Sequence, residues 1–308
     1  MNKLLGDVRD VFFNNIKKNF IKNKKYHILT NDADVHALKS LRNDKRFIDV
    51  GVAEQNLINI ASGIAKNNKL PIVYGFCTFL TFRCYEQLKF NVGSHNLNCK
   101  IVGVGPGYSF SNDGPTHHGI QDLYLMYLIP EFEIFNIADN NLANQLSKNI
   151  FNIPGPVYVR LDKGILDYNS NEKYDLKKGF KLIKKSKKNT NLIITSGYFN
   201  KIANDLSDEM NNFDILNFFR LKNFYKSNFI NTCKKYKNII IYDENTFFGG
   251  IMPIIQSIFH EYKYIPKLKI ICSPEKQLFK YTKSRNEMLK LLKLDKLSLK
   301  KQIHNFFF

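Results

Sequence analysis

The sequence predicts an α/β fold of two domains, each built on a mainly parallel sheet flanked by helices. Three observations lead there. Apolar runs of strand length alternate with amphipathic helical patterns along the chain. The length, 308 residues, suits two domains of ordinary size. The alternation breaks once, after Leu161, in a Lys-, Asn- and Gly-rich stretch with few apolar anchors. These features divide the chain into a first domain over 1–165, a linker over 166–188 and a second domain over 189–308.

In the first domain, strands are expected at 27–30, 47–50, 71–76, 100–104, 133–137 and 156–161. Residues 54–66 read as a helix, because Leu57, Ile60, Ala61, Ile64 and Ala65 recur at three- and four-residue spacing. Further helices are expected at 80–92 and 119–128. The second domain reads as strand 191–196, helix 201–210, strand 213–219, helix 229–236, strand 238–242, helix 250–260, strand 269–272 and a terminal helix 286–304.

Composition excludes several classes. A hydrophobic fraction of 44% with 14% aromatics is not that of a disordered chain. No stretch approaches the ~18 consecutive apolar residues that span a membrane. The start, MNKLLGDVRD, lacks the apolar core and small-residue cleavage site of a secretion signal. Five scattered cysteines with no CxxC pair predict a reduced, cytoplasmic protein with neither a disulfide framework nor a zinc site.

Lys+Arg is 46 and Asp+Glu 27, a formal net charge of +19. Such a balance can attract nucleic acid, anionic membranes or phosphorylated ligands. Here it is mostly lysine spread along the chain, with no RNA-recognition signature, zinc finger or arginine-rich arm, so a solvated basic surface is the better reading. A basic non-catalytic scaffold or nucleic-acid binder is the competing class. Binding to DNA or RNA that falls steeply with salt would favour it.

Four segments could carry chemistry. The first, DVGVAEQN at 49–56, places Glu54 where a strand turns into a helix; alone, an acid in a first helical turn only answers the macrodipole. The second, GFCTFLTFRCYEQLKF at 75–90, spaces Phe76, Phe79 and Phe82 by three before Arg83 and Tyr85. Such spacing is ordinary for a core, but it can also offer a flat heterocycle a face. The third, GVGPGYSFSNDGPTHHG at 103–119, is a polar Gly/Pro-rich loop after a strand and holds Asp113, His117 and His118. Loops at the carboxyl ends of parallel strands are the usual ligand places. Two adjacent histidines with no cysteine nearby are poor zinc ligands. The fourth, VYVRLDKG, ends a strand with Arg160, which suits either a surface ion pair or an anionic ligand.

In this order, RFIDVGVAEQN, the aromatic block ending RCYEQ, NDGPTHHG and VYVRLDKG resemble the C-terminal section of the transketolase family, that is, its pyrimidine-binding domain and C-terminal domain. The weaker YDENTFFGG resembles the C-terminal domain, with Asn245 where the family usually has histidine. The resemblance runs from the helix around Arg9 onward. It implies thiamine diphosphate as cofactor. No GDG motif occurs in the sequence. The resemblance therefore implies a split enzyme whose separate N-terminal subunit carries GDG and holds the diphosphate and Mg2+, with no metal on this chain. A two-plus-two heterotetramer follows, with neither nucleic acid nor membrane as partner.

By position, Glu54 matches the glutamate that shares a proton with a ring nitrogen of the aminopyrimidine. Phe76 and Phe79, with Phe82 or Tyr85, match the aromatic wall for that ring, and Val52 matches the apolar residue that props the cofactor. Sharing a proton calls for desolvation, so apolar walls from Val52 and Phe79 are expected around Glu54. Asp113 and His117 match residues that bind sugar hydroxyls, His117 being expected with Glu54 among the catalytic residues, and His118 is their neighbour. Arg160 matches an arginine that grips a substrate phosphate, and Asp32 is placed along the donor channel. Where many members carry a histidine for the sugar phosphate, this chain has Gly105-Pro106-Gly107. That leaves room for a modified, branched or nucleotide-linked sugar. Within the superfamily, the alternatives are a deoxyxylulose-phosphate synthase-like or 2-oxoacid dehydrogenase beta-like subunit.

Overall fold

The computed structural model describes residues 6–33, 35–166, 173–184, 189–276 and 279–307. The chain divides into two compact units, Met1–Pro106 with Leu125–Lys173, and Gly107–Tyr124 with Tyr174–Phe308.

In the first unit, α1 (Val8–Lys22) opens on Asp7, whose side chain accepts from the Arg9 N–H and so satisfies one of the helix's free donors. It buries Val8, Val11, Phe12, Phe13, Ile16 and Phe20. Then come β1 (Tyr26–Thr30), β2 (Phe47–Asp49), α2 (Glu54–Lys66) and β3 (Leu70–Phe76). The expected helix at 80–92 is instead two π-helical turns, Phe79–Arg83 and Leu88–Gly93, around the short α3 (Tyr85–Gln87). The chain continues through β4 (Lys100–Val104), α4 (Asp122–Tyr127), whose first three residues belong to the second unit, β5 (Glu133–Asn136), α5 (Asn140–Asn149) and β6 (Val157–Leu161). The Asn-rich composition of α5 hides it from sequence reading, although Leu142, Ala143 and Leu146 are buried on one face.

The sheet runs β2-β1-β3-β4-β6-β5 with every pairing parallel. Every residue of β4, β5 and β6 is buried, as for parallel strands covered on both faces. From β1 the chain steps to β2 on one side and then to β3 on the other. Such a reversal leaves a crevice at the carboxyl ends of the strands, where ligands bind in this architecture.

The second unit holds β7 (Phe180–Lys184), β8 (Asn191–Thr195), α6 (Phe199–Ser207), β9 (Asp214–Phe218), α7 (Lys226–Cys233), β10 (Asn238–Thr246), α8 (Met252–Glu261), β11 (Lys267–Ser273), α9 (Arg285–Leu291) and α10 (Lys296–Phe307). Its sheet order is β11-β10-β8-β9-β7, parallel except for β7, which runs antiparallel along β9. β7 lies inside the stretch read from sequence as linker. Its lysines mask it, yet Phe180 is 2% exposed and meets Phe229 edge-on at 5.3 Å. Other parts of that stretch, 167–172 and 185–188, lie outside the described residues. The single terminal helix expected over 286–304 is two helices. Lys293 takes a left-handed conformation at φ 57°, and the Asp295 carboxylate accepts from Leu297 N–H at 3.0 Å to start α10. Phe199 stacked on Tyr242 at 4.2 Å anchors the core. Among the described residues no helix is long and apolar enough to cross a membrane.

Candidate active site

β2 ends at Asp49, whose Oδ1 accepts from the Gly51 N–H at 3.0 Å and the Asp32 N–H at 2.9 Å. Gly51 and Asp32 have φ of 66° and 62°, a region that glycine and aspartate tolerate best. This turn delivers Glu54 to the first residue of α2, where unpaired N–H groups and the helix dipole favour a carboxylate.

Glu54 is only 1% exposed. A buried carboxylate needs partners. Asn31 Nδ2 donates to Oε1 at 2.9 Å, and Arg83 Nη1 donates to Oε2 at 2.5 Å. Asn31 follows β1 directly. It fits because position 75 of β3 is glycine, whose Cβ, if present, would overlap Asn31 Oδ1. Arg83 closes the π turn that begins at Phe79, and its guanidinium carbon lies 4.8 Å from the centre of the Phe79 ring. Phe79 in turn meets Phe76 edge-on at 5.7 Å. Beneath this group the Cys84 thiol is pushed up to about 12 by burial and by the Glu54 charge.

The groups bonded to Glu54 are thus an amide and a guanidinium, where the sequence led to an expectation of apolar walls. Phe79 reaches the carboxylate through Arg83, and Val52 is 76% exposed. Phe82 is exposed, Tyr85 half-buried and Asp32 exposed. Arg160 sits within β6, in register with Gly103 and Asn136 and 2% exposed, which excludes a surface ion pair.

Sequence reasoning assigned no role to Asn31 or Arg83. The signal for Arg83 was its place in the aromatic block. Asn31 carries none, since only the adjacency of β1 and β3 brings it to Glu54.

Asp113, His117 and His118 belong to the second unit. Their loop is closed by reciprocal bonds between Gly107 and Gly119, at 2.6 and 2.9 Å. At its base the Tyr108 N–H donates to Glu244 Oε1 at 3.1 Å. Gly107 (φ 56°) presses so closely on Glu244 that a Cβ there would overlap the carboxylate. Glu244 is buried and paired with Arg285, whose Nε donates to Oε1 at 2.7 Å and whose guanidinium carbon lies 3.6 Å from the Tyr198 ring centre. The Tyr281 ring covers Gly114, and the Thr282 N–H donates to Ser111 O at 3.3 Å. Asp113 is exposed and His117 half-buried, with Nδ1 3.1 Å from Thr116 Oγ1. His118 is 3% exposed and edge-on to Tyr108 at 5.0 Å. Burial, with the neighbouring His117 charge, lowers its pKa to about 4.

Residues 18–168 match the family described as "Transketolase, pyrimidine binding domain". This stretch of the chain is thus a transketolase pyrimidine-binding domain. It is 27% identical over 220 residues to an apulose-4-phosphate transketolase subunit of Actinobacillus succinogenes, covering 70% of this chain and 71% of that one. It is 34% identical over 139 residues to the 6-deoxy-6-sulfo-D-fructose transketolase subunit SqwH of Clostridium sp. strain MSTE9, covering 44% of this chain and 43% of that one. The chain therefore spans less than half of the second relative. A solved structure described as "Split gene transketolase, inactive beta4 tetramer" shares the fold, with a TM-score of 0.82 at 20% identity, covering 97% of this chain and 98% of that one. The α/β architecture, a transketolase pyrimidine-binding domain followed by a second α/β domain, is thus the one read from the sequence.

Proposed function

We propose that this chain is the pyrimidine-binding subunit of a split, thiamine diphosphate-dependent transketolase-like enzyme that moves a two-carbon ketol unit from a ketose to an aldehyde. The observation that carries this reading is Glu54, buried at the start of α2 and held by Asn31 and Arg83 beside two aromatic rings.

The donor set fits an aminopyrimidine. A carboxylate has about four lone-pair sites, and two of the bonds it accepts here come from Asn31 and Arg83. Asn31 Oδ1 is buried without a hydrogen-bond partner among the described residues. A flat ring bearing an amine and a protonatable nitrogen answers both needs. Phe76 and Phe79, with Phe82 or Tyr85, would face the ring and Val52 would prop it. When bound, the cofactor supplies the electron sink that a ketose's carbon–carbon bond needs in order to break.

The protein's share is orientation and proton handling. Glu54 holds a proton at the ring nitrogen, and Asn31 and Arg83 fix its two oxygens. Asp113, His117 and His118 meet sugar hydroxyls, Arg160 an anionic end of the substrate, and Asp32 the donor channel. We assign the diphosphate and Mg2+ to a separate subunit carrying the GDG motif, in a two-plus-two assembly. The chain's likeness to proteins named as transketolase subunits supports that partition. The segment Gly105-Pro106-Gly107 carries no histidine, which favours a substrate other than the usual pentose phosphates. The sugars in the two relatives' names point the same way.

The test is Glu54→Gln in the complex reconstituted with its partner subunit. We expect turnover of a ketose donor to fall by about 1,000-fold or more, the loss of about 4 kcal/mol of transition-state stabilisation, with the circular dichroism spectrum unchanged. Wild-type turnover in the variant removes Glu54 from this role. Carbon dioxide release from pyruvate, in place of ketol transfer, would move the enzyme to another branch of the superfamily.

A further inference from the structure

The second sheet also reverses its order. From β8 the chain steps to β9 on one side and then to β10 on the other, which places a crevice at the carboxyl ends of these strands. Tyr198 follows β8 closely, and a cavity of about 290 Å³ opens beside it, between α6, α9 and the start of α10. That volume suits one small molecule. Ile202 and Leu289 line it and are buried, whereas Leu297 lines it with 68% of its surface exposed. Its cations are not equally committed. Lys201 is paired with Asp205 at 2.9 Å, and Lys296 with Glu209 at 2.6 Å. The Asp295 carboxylate is taken up by its own helix, accepting from the Leu297 and Ser298 N–H groups and the Ser298 hydroxyl. Lys290 has no ion pair among the described residues. Among those residues the cavity thus offers one uncommitted ammonium beside apolar side chains.

We propose that this cavity binds a small organic anion, its apolar body against Tyr198, Ile202, Leu289 and Leu297 and its carboxylate or phosphate on Lys290. An exposed ammonium holds any anion only weakly. The apolar lining is what selects an anion with a hydrocarbon body. Tyr198 gives the site its consequence. The Arg285 guanidinium carbon lies 3.6 Å from the centre of the Tyr198 ring. Arg285 pairs with Glu244, and Glu244 accepts the Tyr108 N–H of the 107–119 loop. A ligand seated on Tyr198 thus shares a wall with the clamp on that loop, and its binding reaches Tyr108 through stacked and ion-paired side chains.

The experiment uses the full chain labelled at backbone nitrogen, followed by NMR during titration with benzoate, phenyl phosphate, inorganic phosphate and benzyl alcohol at fixed ionic strength. We expect saturable shifts at the Tyr198, Asn286 and Leu297 amides with the organic anions, the tighter of the two telling carboxylate from phosphate ester, and a shift at Tyr108 with the same midpoint. Inorganic phosphate lacks the ring and benzyl alcohol the charge, so each should bind about tenfold more weakly or worse. Lys290→Ala should weaken the tighter anion roughly tenfold, the loss of one hydrogen bond to a charged group, and Lys290→Arg should restore most of it. Lys226→Ala, which removes a lysine outside the cavity, should leave binding unchanged. An absence of shifts up to the solubility limit, or equal binding by wild type and Lys290→Ala, would overturn the site. So would an equal loss in Lys226→Ala, which would mark attraction by the overall positive charge. Shifts around the cavity that leave Tyr108 unmoved would overturn the link to the loop. The readout needs no turnover, so failure here is separable from failure of the Glu54 reading.

Discussion

Arg83 Nη1 stands 2.5 Å from Glu54 Oε2, joining a side chain 46% exposed to one 1% exposed. The pair is one-sided. Glu54 has no route to water, whereas Arg83 does. Losing the cation strands a buried charge, which costs several kcal/mol when both partners are buried. Exposure of Arg83 discounts that, to about 1–2 kcal/mol. Arg83→Met should therefore lower the urea midpoint and cut turnover of the assembled enzyme, while Arg83→Lys should recover most of the stability. A methionine variant with the wild-type midpoint and rate would show that the pair does nothing.

Gly75 gives a second prediction, because its missing side chain is what admits Asn31 beneath Glu54. Gly75→Ala places a methyl group where Asn31 Oδ1 now lies. Overpacking of this kind costs about 1–3 kcal/mol. The variant should unfold at lower denaturant and lose activity through displacement of Asn31, and Gly75→Ala combined with Asn31→Ala should recover part of the stability. Additive losses in the double variant would disprove the steric link.

Much of this arrangement was legible in the sequence. Residues 54–66 show a helical repeat clear enough that α2 begins and ends where the spacing says. Glu54, Phe76 and Phe79 stand out because they sit where strands end. Asn31 was not legible, because an asparagine after a strand is common and only the β1–β3 pairing gives it a neighbour. β7 was hidden by lysines that suit an exposed edge strand. The attachment of the 107–124 loop to the second unit rests on Glu244 and Arg285. Both lie more than a hundred residues further along the chain, beyond any local pattern.

Gly107 tests that attachment. Its φ of 56° strains any other residue, and a Cβ would overlap the Glu244 carboxylate. Gly107→Ala should cost about 2 kcal/mol or more, combining left-handed strain with a clash. By contrast, Gly164→Ala, at φ 85° with open space around its Cβ, should show the strain alone. Equal losses at the two positions, measured by chemical denaturation, would mean that Glu244 does not constrain the loop.

The last prediction concerns acid. The His118 pKa falls from its ordinary value of 6.5 to about 4, first through burial and then through the His117 charge. Protons therefore bind the unfolded chain more tightly. The contribution of neutral His118 to stability is complete above pH 6.5, declines as the pH falls toward 4 and is flat below that. The shift sets an upper size of about 3 kcal/mol for the effect. His118→Gln keeps a polar side chain but cannot titrate. Its stability relative to wild type should rise steadily as the pH is lowered from 6.5 to 4. Carboxylates also protonate in that window, but they do so in both proteins and cancel in the difference. Parallel urea unfolding curves at several pH values would give that difference directly. A constant gap between the two proteins would show that His118 is protonated as readily in the fold as in the unfolded chain, and that the buried loop leaves its imidazole open to water.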